Sequence, residues 1–291
     1  MSGAGNLELG ITVGTRCNFQ CRHCIVDRNL GRKKISSREV SLQIETINKY
    51  HPRSLIFTGG EPTLYIKEIT KILSAIDDPN KIRTRIVTNG HFAISPASAE
   101  KTLRSFSVLH SVQMSYDKFH AKFAPVTHIY NLFEACAKLN LSFSIVCAIE
   151  SPLDLVFLNS IKLPGVPITI QKVLSIGNAK KNAIEYRYKR VDGNVFKKTC
   201  PNLGKLVYNC GFGFTTCCAF LASASDNRNY VHPTVEIHRR SRFYKLISRF
   251  SFGRLLQMSG LPKKNLSPAD SDPCVLCSHV IPRILKSENS T

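Results

Sequence analysis

The sequence predicts an α/β protein: a partial (β/α)6 TIM-like barrel over residues 1–180, a small domain of a β-hairpin plus a helix over 181–285, and a disordered tail over 286–291. Three observations predict it. Six apolar runs of period two alternate with five runs of period 3.6, the pattern of parallel strands joined by helical crossovers. The conspicuous polar motifs follow the strand-like runs, where such folds place their chemistry. Beyond residue 180 the rhythm breaks and cysteines become frequent.

The elements follow in order. Residues 7–13, "LELGITV", alternate as a strand, and 37–50 read as a helix behind a capping box of Ser36 with Glu39. Residues 54–57 are a buried strand by composition, followed by a helical run over 65–76. Strand and helix repeat over 83–87 and 96–104, then over 108–114 and 129–139. A strand over 141–149 and a short helix over 153–161 lead to the sixth strand at 167–174. In the second domain, "YKRVDGNVFKKTC" and "KLVYNCGFGFTTCC" read as the hairpin and "RRSRFYKLISRF" as the helix. The tail "KSENST" is polar and aperiodic.

Composition narrows the class. No apolar run approaches the roughly 18 residues of a membrane span, so no membrane association is expected. The N-terminus "MSGAGNLELGITVG" has no secretory pattern, which predicts a reducing, cytoplasmic location. Eleven cysteines in that setting are better metal or cluster ligands than disulfides. Nine of the eleven fall near the two ends of the chain, whereas Cys136 and Cys147 sit in apolar periodic segments and read as core filler. The net charge is +20, and residues 171–291 hold half of the 40 basic side chains but about a third of the 20 acids. Two readings fit equally. One is an anionic partner, whether a phosphate-bearing substrate, an acidic peptide, an acidic electron-transfer protein or nucleic acid, for which no motif is present. The other is anionic cofactors that offset part of the charge, with the rest on solvated surface.

Residues 15–24, "TRCNFQCRHC", space Cys17, Cys21 and Cys24 as C-x3-C-x2-C. Three thiolates can bind three irons of a 4Fe-4S cluster and leave the fourth open, whereas four would saturate it. The alternative is zinc with His23 as fourth ligand, disfavoured because structural zinc ligands come as separated pairs. The next strand ends "TGGEP": Gly59 and Gly60 let something approach the main chain, and the Glu61 carboxylate suits an ammonium group.

This pairing of motifs resembles the radical S-adenosylmethionine (SAM) superfamily. In that family the open iron binds the amino and carboxylate groups of SAM, which is cleaved to a 5′-deoxyadenosyl radical. The resemblance implies that Cys17, Cys21 and Cys24 ligate the cluster and that Gly59, Gly60 and Glu61 take the methionine end of SAM. His23 stands where the family usually has an aromatic residue. "VTNGHF" and "QMSYDKFH" are similar to later family positions, which implies roles for Thr88, Asn89, Ser115 and Asp117 at the SAM carboxylate and ribose. For Ser115 and Asp117 a polar strand-end cap is the competing reading. "KVLSIGNAK" is similar to the family's late glycine motif, implying contact of Ile176 and Gly177 with adenine.

The C-terminal cysteines resemble the SPASM and shortened Twitch auxiliary-cluster modules of that superfamily. The shorter form implies a second 4Fe-4S cluster on Cys200, Cys218, Cys274 and Cys277, with Cys217 as the alternative to Cys218. A four-cysteine zinc site competes with it. Cys210, or whichever of Cys217 and Cys218 is not a ligand, is a candidate hydrogen-atom donor by the same resemblance, against a plain core role. The implied function is hydrogen abstraction from a substrate C–H bond, with the auxiliary cluster in electron transfer, on a peptide or another natural product. No leader-peptide-binding domain is expected ahead of the barrel, since "MSGAGN" is too short to be one. A flavodoxin or ferredoxin is the expected acidic reductant. The alternatives are a radical SAM enzyme acting on a nucleotide or RNA, and a non-catalytic, metal-holding nucleic-acid-binding protein.

Overall fold

The computed structural model describes residues 7–26, 33–224 and 226–288. The chain divides into two compact units, Met1–Glu185 with Tyr208–Gly211, and Tyr186–Val207 with Phe212–Thr291.

In the first unit six strands pair in parallel: β1 (Glu8–Thr12), β2 (Ser54–Thr58), β3 (Arg83–Thr88), β4 (Ser111–Ser115), β5 (Ser142–Ile149) and β6 (Ile168–Lys172). Their spatial order is β6-β5-β4-β3-β2-β1, an open sheet of the partial-barrel kind that the alternation predicts. Side chains of period two fill its core, with Leu9, Ile11, Leu55, Phe57, Ile86, Val112 and Met114 all fully buried. Helices α1 (Ser37–Tyr50), α2 (Ile66–Ser74), α3 (Pro96–Leu103) and α4 (Thr127–Lys138) alternate with the first five strands.

The capping box forms. Ser36 Oγ accepts from the Glu39 N–H, and Glu39 Oε2 accepts from the Ser36 N–H at 2.8 Å. Glu39 Oε1 accepts from Tyr208 Oη at 2.6 Å and from the Gly211 N–H at 2.7 Å. One carboxylate therefore starts α1 and fastens Tyr208–Gly211 to the unit. Burial raises its pKa, but the donors on Tyr208, Ser36 and Gly211 outweigh that and hold it below the ordinary value.

Two details depart from expectation. The short helix over 153–161 is a 3₁₀ stretch, Pro152–Ser160, and a single turn, α5 (Asn178–Lys181), follows β6. Cys136 and Cys147 are buried as expected, and burial pushes both thiols up to about 12.

The second unit is more helical than a hairpin plus one helix. It contains β8 (Gly213–Thr215) and the start of β7 (Lys205–Asn209), whose last residues belong to the first unit. Among the described residues four helices follow: α6 (Val235–Arg240), α7 (Arg242–Arg249), α8 (Phe252–Met258) and α9 (Pro273–Glu288). "YKRVDGNVFKKTC" is not a strand but carries a 3₁₀ turn, Gly193–Lys197. Val195 on that turn packs with Phe243, Leu246, Phe252, Leu255, Leu276 and Val280, so burying α7, α8 and α9 together builds this core. Residues 286–288, expected in the tail, end α9, and the rest of the expected tail lies outside the described residues. Among the described residues no helix is long and apolar enough to cross a membrane.

Candidate functional site: a cysteine loop and a second cysteine cluster

The loop bearing Cys17, Cys21 and Cys24 leaves the C-terminal end of β1. Its base is tied: Thr15 N–H donates to Lys33 O at 2.9 Å, and Lys33 N–H to Thr15 Oγ1 at 2.8 Å. Arg16 N–H donates to Tyr65 Oη at 2.9 Å, a contact that no local pattern in the sequence announces. The three cysteines pack with Phe19 and Ala124 in one cluster.

Gly59 and Gly60 do allow a close approach, and what approaches is the cysteine loop itself. Gly60 N–H donates to Gly14 O at 2.9 Å, and Glu61 N–H to Arg16 O at 2.8 Å. A Cβ at Gly59, where φ is +147°, would overlap the Gly14 carbonyl oxygen, and one at Gly60 that of Arg16.

Glu61 is 1% exposed and does not present its carboxylate to solvent. Oε1 accepts from Thr88 Oγ1 at 2.7 Å and from Thr63 Oγ1 at 2.8 Å, while Oε2 accepts from the Asn89 N–H at 2.8 Å. These bonds join the end of β2 to the end of β3. Burial still raises its pKa, with the donors on Asn89, Thr88 and Thr63 acting against it. Asn89 extends the web, its Nδ2 lying 2.8 Å from Asn18 Oδ1 and 3.4 Å from Cys17 Sγ. The Phe19 N–H also faces Cys17 Sγ at 3.4 Å. Burial raises the Cys17 thiol, opposed by these two donors and reinforced by the charges of Glu61 and Cys24.

Ile176 and Gly177 close the loop from the other side. Asn178 N–H donates to Cys24 O at 2.9 Å, and Gly177, at φ +58°, leaves no room for a Cβ against Ile25 O. Asp117 is 1% exposed at the end of β4. Its Oδ1 accepts from the N–H groups of Phe119 (2.9 Å) and His120 (3.1 Å), and its Oδ2 from that of Ala148 (3.2 Å), the arrangement of a strand-end cap. Ser115, the last residue of β4, pairs with Val146 of β5, and among the described residues its side chain has no hydrogen bond to Glu61, Thr88 or Asn89. His120 is a residue that sequence reasoning missed, although its position three residues after Asp117 is a local signal.

Cys210 lies in Tyr208–Gly211, 3% exposed, and burial, with the Glu39 charge adding, pushes its thiol up to about 12. That environment matches core packing.

In the second unit Cys200, Cys217, Cys218, Cys274 and Cys277 line one small cavity with Phe243, Ile247 and Phe252. Cys274 and Cys277 lie near the start of α9, where Asp272 Oδ1 accepts from the Cys274 N–H at 2.8 Å. Burial raises all five thiols, and the neighbouring cysteines add to the effect at Cys200, Cys217, Cys274 and Cys277. Five thiols lining one cavity form a soft donor set suited to iron–sulfur or zinc. Cys217 packs with Cys200 and Cys277 against the core of this unit, whereas Cys218 is exposed and accepts from Asn202 Nδ2 at 3.1 Å.

Comparison with known proteins agrees with this geometry. Residues 11–149 match the Radical SAM superfamily. The putative peptide biosynthesis protein YydG of Bacillus subtilis (strain 168) is 25% identical over 183 residues, covering 60% of this chain and 57% of that protein. A GTP 3′,8-cyclase of Listeria monocytogenes is 32% identical over 124 residues, 40% of this chain and 35% of the relative. The chain thus spans only about a third to just over half of these relatives. Among solved structures, Streptococcus suis SuiB bound to precursor peptide SuiA shares the fold, with a TM-score of 0.51 at 16% identity over 85% of this chain and 67% of that one. Residues 11–149, holding the cysteine loop, the double glycine and the Glu61–Asn89 web, are a radical SAM domain.

Proposed function

We propose that this chain is a radical SAM enzyme acting on a peptide, with Cys17, Cys21 and Cys24 as the ligands of a 4Fe-4S cluster. The observation that carries the reading is the packing of those three cysteines together in a loop braced by Gly59, Gly60, Glu61 and Asn89. Three thiolates with amide donors facing a sulfur suit such a cluster, whose potential depends on N–H···S contacts. When bound, cluster and SAM together supply a carbon-centred radical by one-electron reduction.

The chain's residues hold and shield. Gly59 and Gly60 bring the end of β2 against the loop, and Thr88 and Asn89 fix its far wall through Glu61. Because the Glu61 carboxylate is already occupied by donors, recognition of the SAM methionine falls to the main chain around it rather than to its side chain. Ile176 and Gly177 set the position of Cys24, and Ser115 stands at the strand end suited to the ribose.

A peptide substrate is supported by the relative named as a putative peptide biosynthesis protein. A nucleotide substrate is the second reading, supported by the GTP 3′,8-cyclase matches and the cationic chain. We assign a second cluster to Cys200, Cys217, Cys274 and Cys277, preferring Cys217 to Cys218 because Cys217 packs with Cys200 and Cys277 against the core while Cys218 is exposed. Such a fully ligated centre would carry electrons, and an acidic flavodoxin or ferredoxin is the reductant its surroundings suit.

Iron per chain after anaerobic reconstitution, with 5′-deoxyadenosine assayed alongside, tests the whole assignment. About eight irons falling to about four in Cys274→Ala/Cys277→Ala and in Cys217→Ser, but not in Cys218→Ser, supports two clusters and this ligand set. About four in every variant, with SAM still cleaved, removes the second cluster, and no SAM cleavage removes the enzyme reading.

A further inference from the structure

Three side chains beside the cysteine loop take no part in holding the proposed cluster. His23 lies inside the loop, between Cys21 and Cys24, while Asp117 and His120 follow β4. One ligand atom from each, two imidazole nitrogens and a carboxylate oxygen, lies within 4.8 Å of the others. His120 Nδ1 is 2.9 Å and His23 Nε2 is 3.8 Å from Asp117 Oδ2.

The shorter of these contacts lacks hydrogen-bond alignment. His120 is 9% exposed, yet its Nδ1 has no hydrogen-bond partner, and the buried Nδ1 of His23 has none either. A buried polar atom left unmatched is costly, so native proteins rarely leave one without a purpose. An imidazole nitrogen and a carboxylate oxygen that meet off the hydrogen-bond line are placed as two lone-pair donors sharing a third atom between them.

The surroundings hold the three in place. The backbone N–H groups of Phe119, His120 and Ala148 fix both oxygens of Asp117, the kind of outer support that orients a ligating carboxylate. The His23 ring stacks on Phe119 with centroids 4.3 Å apart and meets His120 edge-on at 5.0 Å. Metal–ligand bonds of about 2.1 Å put tetrahedral ligand atoms about 3.4 Å apart, between the two separations measured from Asp117.

We propose that His23, Asp117 and His120 bind one divalent transition-metal ion, at a site separate from both cysteine clusters. Two imidazoles and one carboxylate suit zinc, manganese or ferrous iron, and suit neither the all-oxygen preference of calcium and magnesium nor the thiolate preference of cuprous copper.

Manganese(II) is the probe, because it favours nitrogen and oxygen over thiolate and its free ion is read directly by electron paramagnetic resonance. The reconstituted protein is titrated anaerobically, together with His23→Phe, which preserves the ring stack, and His120→Gln. One ion per wild-type chain, with binding weakened at least tenfold in both variants, is the expected result. Absence of saturable binding overturns the site, as does equal binding by wild type and variants. If His120→Gln fails to fold, His23→Phe alone decides. Iron content and 5′-deoxyadenosine formation measured on the same samples report separately on the cluster, and if no cluster assembles the same titration of the purified protein decides for or against the site.

Discussion

Glu61 shows at the scale of a single residue what the sequence conveys and what it hides. Its place after a double glycine marks it as functional, yet its donors arrive from Thr88 and Asn89, more than 25 positions away, so its bracing role exists only in the folded chain. The cysteine triad is the opposite case, because its spacing is local and the chemistry follows from ligand count. The glycine pair sits between: a close approach was legible, but not that the approaching group would be the carbonyls of Gly14 and Arg16. Thr88→Val keeps the shape and removes the 2.7 Å bond to the buried carboxylate. It should lower stability by about 1–3 kcal/mol in urea unfolding, and an unchanged midpoint would show that Glu61 needs no donor from β3.

Among the elements, the parallel strands were legible because each is a short apolar run bounded by turn residues, and the capping box of α1 because Ser36 and Glu39 are three residues apart. Helix α9 was not, since Cys274 and Cys277 drew attention to ligands and Pro282 stands inside it, where proline ordinarily ends a helix. Its buried Leu276, Val280 and Ile284 recur every four residues, the signal that outweighs the proline. Helix α6 carries a testable titration. His238 is fully buried, its Nε2 accepts from the Thr216 N–H at 3.0 Å, and its Nδ1 lies 3.2 Å from that of His232. Burial, with the charges of His232 and Arg239 adding, lowers its pKa to about 3. A depressed histidine contributes stability that is complete above its unfolded value near 6.5 and is lost as pH falls toward 3. Urea midpoints should therefore drop between pH 6.5 and 4, by at most about 1.4 kcal/mol per pH unit, and His238→Gln should flatten that slope.

For the whole molecule the dominant quantity is charge. A net +20 on 291 residues attracts acidic proteins from a distance and does so less as salt rises. Arg239, Arg240 and Arg242 are exposed at the ends of α6 and α7. Changing all three to Glu should slow reduction by a flavodoxin at low salt and leave reduction by dithionite unaltered, whereas equal slowing would mean damage to the centre itself. The order of units along the chain has a separate consequence. The backbone enters the second unit at Tyr186, returns to the first for Tyr208–Gly211, and leaves again at Phe212. No single cut can separate the two units intact. A gene fragment ending at residue 185 would encode a barrel missing four of its own residues, with Glu39 deprived of two donors, so any transplant of the first unit into another protein must carry that short return segment as a graft.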